Sequence, residues 1–357
     1  MKDAPDGEKR SPAPPDVRSR QGTALNPAGS SRTSQTQRLT RLKIGVVGMG
    51  LMGTSITACL LAAGHQVACV EADPSRRRFA KQRLLALLNG LRKERLLLSV
   101  PATVIKRWSI SSDYAQLSDC GVVIESVFED LRAKKTVLRR VERVVRPNTL
   151  IATNTSSIPV TELQKDALRA SRVLGMHWAE PAHITRFMEI ICGRKTTRNA
   201  AERAMALARH WGKEPVLVRR DVRGFVTNRV MYAMLREAFY LVESGVATPA
   251  DVDRSLRNDL GYWITFAGPF RFMDLTGIPA YAAVMRDLLP DLDRSTSVPR
   301  LMRKLVRSGA QGVANGKGFY RYRHSEAKRW QKLFEEFTYQ IRALAQKYPE
   351  DAGDQRG

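Results

Sequence analysis

Residues 42–53 read LKIGVVGMGLMG, an apolar run that breaks directly into Gly48-Met49-Gly50-Leu51-Met52-Gly53 and then into a helix-like segment from Thr54 to Ala63. Glycines at this spacing between a strand and a helix confine the chain to a tight β-turn-α unit. Gly48 permits the turn, Gly50 lets the backbone approach a pyrophosphate, and Gly53 lets helix and strand pack closely. The helix start adds unpaired N–H groups and a partial positive charge, which suit phosphate. A second strand follows as His65 to Val70 and ends in Glu71, eighteen residues after Gly53. An acid there can accept hydrogen bonds from both ribose hydroxyls, which favours NAD over NADP. The six residues 48–53 and Glu71 are therefore the candidate cofactor-binding set.

The rest of the first half repeats the same grammar. A long helical stretch is expected from Pro74 to Leu98, then a strand at Val122–Glu125, a helix from Lys134 to Val145 and a strand at Leu150–Thr153. Val173–Met176 and Phe187–Ile191 read as two more strands, Ala200–Trp211 as a helix and Glu214–Val218 as a last strand. Repeated β-α-β units imply an α/β fold, a Rossmann-type, mostly parallel sheet covered by helices. Past Asp221 the texture becomes nearly all helical. Val230, Met231, Met234, Leu235, Ala238, Phe239 and Val242 recur at helical spacing, so a helix buried on at least one face is expected there. Thr248-Pro249 reads as a capped helix start, and glycine-rich segments at 261–268 and 309–318 punctuate the remainder. Trp330, Phe334, Phe337, Ile341 and Leu344 form an apolar seam on a final helix, suited to packing on its own domain or on a partner subunit. The expected organisation is a disordered extension over 1–41, an NAD-binding domain over 42–220, a smaller all-α domain over 221–323 for substrate and dimerisation, and a helical extension over 324–357.

Composition narrows the class. Residues 1–41 are rich in Pro, Ser, Thr and Arg and too poor in large apolar side chains to offset chain entropy. No apolar run approaches the ~18 residues a membrane span needs, so no membrane association is expected. Cys59, Cys69, Cys120 and Cys192 lie apart in apolar stretches, which argues against a metal site and for a reducing cytoplasm. Lys and Arg number 59 against 35 Asp and Glu. That excess is spread along the chain with no nucleic-acid module beside it, so no nucleic-acid partner is expected. A long-range pull on a polyphosphate substrate, weakened by salt, suits it better.

Four polar positions stand where buried strands or helices end. Asn154-Thr155-Ser156-Ser157 follows a strand, at the carboxyl edge where open α/β sheets bind ligands. His177 ends the next strand, Glu189 lies inside an apolar one, and Asn228 opens the first helix after the domain junction. Each alone is compatible with a cap or a satisfied core group. Together with Val47–Gly53, Val123–Glu129, Gly175-Met176-His177, Gly224–Arg229, Gly268-Pro269-Phe270 and Gly318-Phe319-Tyr320, they make a pattern over residues 42–323 that resembles the L-3-hydroxyacyl-CoA dehydrogenases.

The resemblance implies an NAD-dependent oxidoreductase of fatty acid metabolism, a homodimer that reversibly oxidises the 3-hydroxyl of a 3-hydroxyacyl-CoA. It makes His177 the general base, Glu189 its orienting carboxylate, and Ser156 and Asn228 hydrogen-bond partners of the substrate oxygens, with Ser156 also near the nicotinamide ribose. Glu129 and Lys134 match cofactor-contacting positions, although a solvated helix face would account for Lys134 nearly as well. Departures cluster on the substrate side. The family's His-Phe-Phe-Asn-Pro reads His177-Trp178-Ala179-Glu180-Pro181, which puts an acid on the nicotinamide side. Asp-x-Pro-Gly-Phe reads Asp221-Val222-Arg223-Gly224-Phe225, which adds a cation at the domain junction. The alternatives are a related dehydrogenase acting on a free 3-hydroxy acid, of sugar-acid or carnitine type, and a catalytically diverged NAD-binding protein.

Overall fold

The computed structural model describes residues 42–348; the expected disorder of 1–41 lies outside the described residues. The Rossmann-type domain contains β1 (Lys43–Val47), α1 (Leu51–Ala62), β2 (Gln66–Val70), α2 (Pro74–Lys93), α3 (Pro101–Val104), β3 (Trp108–Ser111), β4 (Val122–Glu125) and α4 (Leu131–Val144). It continues through β5 (Leu150–Thr153), α5 (Val160–Gln164), β6 (Val173–Trp178), β7 (Phe187–Ile191), α6 (Arg198–His210) and β8 (Glu214–Val218). Helices α7 (Thr227–Glu243), α8 (Pro249–Asn258), α9 (Leu260–Phe266), α10 (Gly268–Thr276), α11 (Ile278–Leu288) and α12 (Arg300–Arg307) follow, and α13 (His324–Lys347) closes the described chain.

The strands form one sheet in the order β3-β2-β1-β4-β5-β6-β7-β8. All neighbours are parallel except β6 and β7, where Gly175 to Trp178 run against Ile191 to Met188. Side-chain alternation along each strand feeds two cores. Ile44, Val46, Val122 and Ile124 join Leu60, Leu84 and Leu88 on one face. Val47, Val123 and Ile151 join Leu138 and Val141 on the other. A sheet buried on both faces needs such apolar strands, which is why they read as runs rather than clean alternations. The strand order reverses between β1 and β4, and open sheets of this kind bind ligands in the crevice at that switch point.

Three expectations are corrected. The helix begun at Pro74, capped by Asp73 on Ser75 and Arg76, stops at Lys93 instead of Leu98. Arg95 takes a left-handed φ of 59°, and the Leu96 amide turns back to the Leu91 carbonyl, a helix-ending turn. The glycine-bearing segment 261–268 is largely helical, divided between α9 and α10 with a break at Ala267. Helix α7 buries none of its residues, and Val230, Met231, Met234 and Leu235 stand exposed. The periodicity did mark an apolar helix, but nothing within the described residues covers that face. Towards its end α7 does meet its own domain, where Phe239 packs on Phe319.

Helix α13 doubles back over the Rossmann domain. Tyr339 packs against the core beside Gly90 of α2, and the Arg342 guanidinium donates to the Ile184 carbonyl at 2.5 Å. The apolar seam points elsewhere: Trp330, Phe334 and Phe337 are 55%, 56% and 58% exposed.

Candidate active site

The glycine loop folds as its spacing demands. Gly48 has φ +95°, and a Cβ there would lie 2.6 Å from the Ser126 carbonyl oxygen. A Cβ on Gly53 would fall 1.8 Å from the Gly48 carbonyl oxygen, so any side chain would force α1 away from the sheet. A Cβ on Gly50, by contrast, would meet nothing within 4 Å. The space in front of Gly50 and the first turn of α1, which no side chain caps, form a cradle that fits a pyrophosphate. Met49 turns its side chain into the core, Leu51 is exposed and Met52 is half-buried.

Glu71 ends β2 beside this loop. Its Oε2 accepts from the Met49 amide at 2.7 Å and its Oε1 from the Asp73 amide at 2.9 Å. Each oxygen keeps a second lone pair, so the carboxylate is oriented and still able to accept from ribose hydroxyls.

A buried polar network carries the segment after β5. The Lys134 ammonium is fully buried, 2.9 Å from Glu125 Oε1 and 3.3 Å from Glu129 Oε2. This rules out the solvated helix face for Lys134. Glu129 Oε1 in turn accepts from the Thr155 hydroxyl and from the Ser156 and Ser157 amides. Burial alone would raise the Glu129 carboxyl; the Thr155 hydrogen bond and the Lys134 charge outweigh it and hold the group below its usual range. Sequence reasoning placed Glu129 and Lys134 against cofactor; in the fold their direct partners are each other, Glu125 and the 155–157 turn.

His177 and Glu189 face one another across the antiparallel β6–β7 pair, with His177 Nδ1 2.8 Å from Glu189 Oε2. The other carboxylate oxygen accepts from the Val226 and Thr227 amides at 3.1 and 2.9 Å, at the start of α7. Burial acts to raise the Glu189 carboxyl, but the bonds from His177 and Thr227 prevail and it lies below its usual range. An ionised carboxylate can only accept, so Nδ1 is the donor of this bond, which leaves Nε2 as the nitrogen that carries the lone pair in the neutral ring. Nε2 has no hydrogen-bond partner among the described residues. Phe187 and Phe225 pack on the imidazole. The Val226 and Thr227 amides were invisible to side-chain motifs; the positive φ of Gly224 and Phe225, which turns the chain into α7, aims them.

Asn228 reaches across the domain junction, its amide donating to the Ser156 carbonyl at 2.9 Å. Both residues line one cleft. Glu180 stands apart. It is exposed, makes no hydrogen bond or ion pair with the described residues, and partial desolvation raises its carboxyl above the usual range. The loop that bears it is anchored by the buried Lys213 ammonium, which donates to the Ala182 carbonyl at 2.6 Å and sits over the Trp178 ring.

A dinucleotide cradle at the sheet's switch point, followed by a histidine–carboxylate pair at the junction with a helical domain, defines an NAD-dependent oxidoreductase of the Rossmann type. Residues 43–222 match the 3-hydroxyacyl-CoA dehydrogenase NAD binding domain and residues 224–322 the corresponding C-terminal domain. The chain belongs to the 3-hydroxyacyl-CoA dehydrogenase family. It is 33% identical over 286 residues to a 5-formyl-3-hydroxy-2-methylpyridine 4-carboxylate 5-dehydrogenase from Mesorhizobium japonicum, covering 80% of this chain and 92% of that one. It is 34% identical over 286 residues to a probable 3-hydroxybutyryl-CoA dehydrogenase from Bacillus subtilis, covering 78% and 97%. Among solved structures, that of a 5-formyl-3-hydroxy-2-methylpyridine 4-carboxylic acid 5-dehydrogenase, an NAD+ dependent dismutase, superposes with a TM-score of 0.81 at 31% identity, over 86% of this chain and 99% of that one. Among the described residues no helix is long and apolar enough to cross a membrane.

Proposed function

We propose that the chain oxidises a carbinol carbon of a 3-hydroxyacyl or 3-hydroxy acid substrate, reversibly, with His177 as the base. The observation that carries this reading is the imidazole of His177 held by Glu189, which the second domain itself clamps through two backbone amides. His177 Nε2 takes the hydroxyl proton as the carbon–hydrogen bond breaks, and the C–O single bond becomes a carbonyl. Bound NAD supplies the acceptor for the departing hydride. Glu189 stabilises the imidazolium that forms, without taking its proton. Ser156 and Asn228 hold the substrate oxygen, and Glu129 and Lys134 keep the Ser156 turn in place. Proton transfer to a positioned base is worth roughly 10²–10⁴ in rate.

The natural assembly in this reading is a homodimer. Apolar residues of α7 and of the α13 seam are exposed on one chain, and a second copy covers them most simply. The four unpaired cysteines suit a cytoplasmic enzyme. The test is label transfer. With NAD and 3-hydroxybutyrate or its CoA thioester deuterated at C3, the expected result is deuterium in the nicotinamide of the product from at least one substrate. Ketone formation without label in NADH, or no oxidation of either, removes the reading.

A further inference from the structure

Beside Ser156 and Asn228 a cleft of about 690 Å³ opens, and its walls carry three cations, Arg223, Arg229 and Arg236. Arg229, Tyr232 and Arg236 lie three and four residues apart and so share one face of α7, while Arg223 enters from the domain junction. Among the described residues no acid lines this cleft. The nearby carboxylates are already engaged: Glu129 by Lys134 and the 155–157 turn, Glu189 by His177 and two amides. Arg236 has a distant partner in Asp293, at 3.9 Å. The guanidinium of Arg223 has no partner among the described residues, and that of Arg229 makes only a 3.4 Å bond to the Arg223 carbonyl. Gathering like charges without counter-charge is unfavourable, and a bound anion reverses the sign of that cost.

We propose that Arg223 and Arg229 bind a free carboxylate carried by the substrate, so that the enzyme acts on a small hydroxy acid rather than on a CoA thioester; this rests on the dehydrogenase reading above. Guanidinium is the group best shaped for a carboxylate, which it grips through two parallel N–H bonds. Position argues against the phosphates of CoA as the occupant. The cleft shares Asn228 with the reaction site, and the preceding residue, Thr227, holds the base's carboxylate. A thioester presents a neutral carbonyl next to the carbon that neighbours the reacting carbinol, its phosphates lying a whole pantetheine arm away. A free acid places its charge there. The cation that replaces proline in Asp221-Val222-Arg223-Gly224-Phe225 is thereby the residue that selects substrate class.

Steady-state kinetics test this with 3-hydroxybutyrate and 3-hydroxybutyryl-CoA on wild type, Arg223→Gln and Arg223→Lys. Loss of a charged hydrogen-bond pair should raise KM for a free acid about 10- to 100-fold in Arg223→Gln, with partial recovery in Arg223→Lys. NADH affinity, measured by fluorescence on the same proteins, should hold. The proposal is overturned if wild type turns over only the thioester, if it turns over no free acid, or if Arg223→Gln leaves KM for the free acid unchanged. A wild-type enzyme active on the thioester alone sinks the carboxylate site and spares the dehydrogenase reading. Failure of label transfer with every substrate sinks both.

Discussion

His65 illustrates how a single residue can be fixed by its neighbours rather than by any motif. Its Nδ1 donates to the Leu42 carbonyl at 3.0 Å, and its Nε2 accepts from the Trp211 indole at 2.9 Å. Protonation would break the second bond inside the core, and burial, with His210 and Arg107 nearby, lowers the group to about 4. A folded-state value below the unfolded 6.5 means that the folded chain resists a proton the unfolded chain accepts. Stability is therefore full above pH 6.5 and falls as pH drops towards 4, by about 3 kcal/mol at most. His65→Gln can keep both hydrogen bonds without titrating. Urea unfolding of the two proteins across that interval should show a shallower pH slope in the variant; equal slopes would mean that His65 titrates normally. The same scale separates what the sequence disclosed from what it hid. Gly48 and Gly53 announced their geometry because each obeys a local steric constraint, whereas the pairing of His177 with Glu189 was implied only by the family resemblance. Lys134 did not announce its place, since its burial depends on Glu125 and Glu129 meeting it from other elements.

At the scale of elements, long and strongly patterned segments were readable, and short or edge ones were not. β1, β4, β5, β7 and β8 fall where apolar runs put them. β3, four residues of Trp-Ser-Ile-Ser with only partial burial, gave no run to detect, and it exists because β2 offers it an edge. The antiparallel turn between β6 and β7 is likewise set by the loop that Lys213 ties down. The helices past Thr227 were recognised, but their burial was not, because a hydrophobic stripe states that a face needs covering without stating by what. Here the α13 seam and α7 remain open in one chain. The dimer proposal predicts that sedimentation equilibrium gives twice the chain mass for wild type. Trp330→Glu combined with Phe334→Glu, both on an exposed face, should shift the population to monomer while leaving circular dichroism intact. A monomeric wild type, or a dimer indifferent to both substitutions, would place the contact elsewhere or abolish it.

For the molecule as a whole, the junction between domains is the feature from which the chemistry follows. Glu189 belongs to the sheet, yet two of its three hydrogen bonds come from the Val226 and Thr227 amides where α7 begins, and Asn228 on that helix binds back to the Ser156 turn. In the proposed mechanism, orientation of the base and formation of the substrate cleft thus depend on the same docking of the helical domain. A strongly cationic chain, with 59 Lys and Arg against 35 Asp and Glu, attracts anionic ligands over long range. The most direct test of the account is single-turnover NADH formation by His177→Gln beside wild type, with NADH affinity measured on the same samples. The expected rate is lower by about 10²–10⁴, with affinity changed by no more than about threefold. A variant that turns over at the wild-type rate would contradict it.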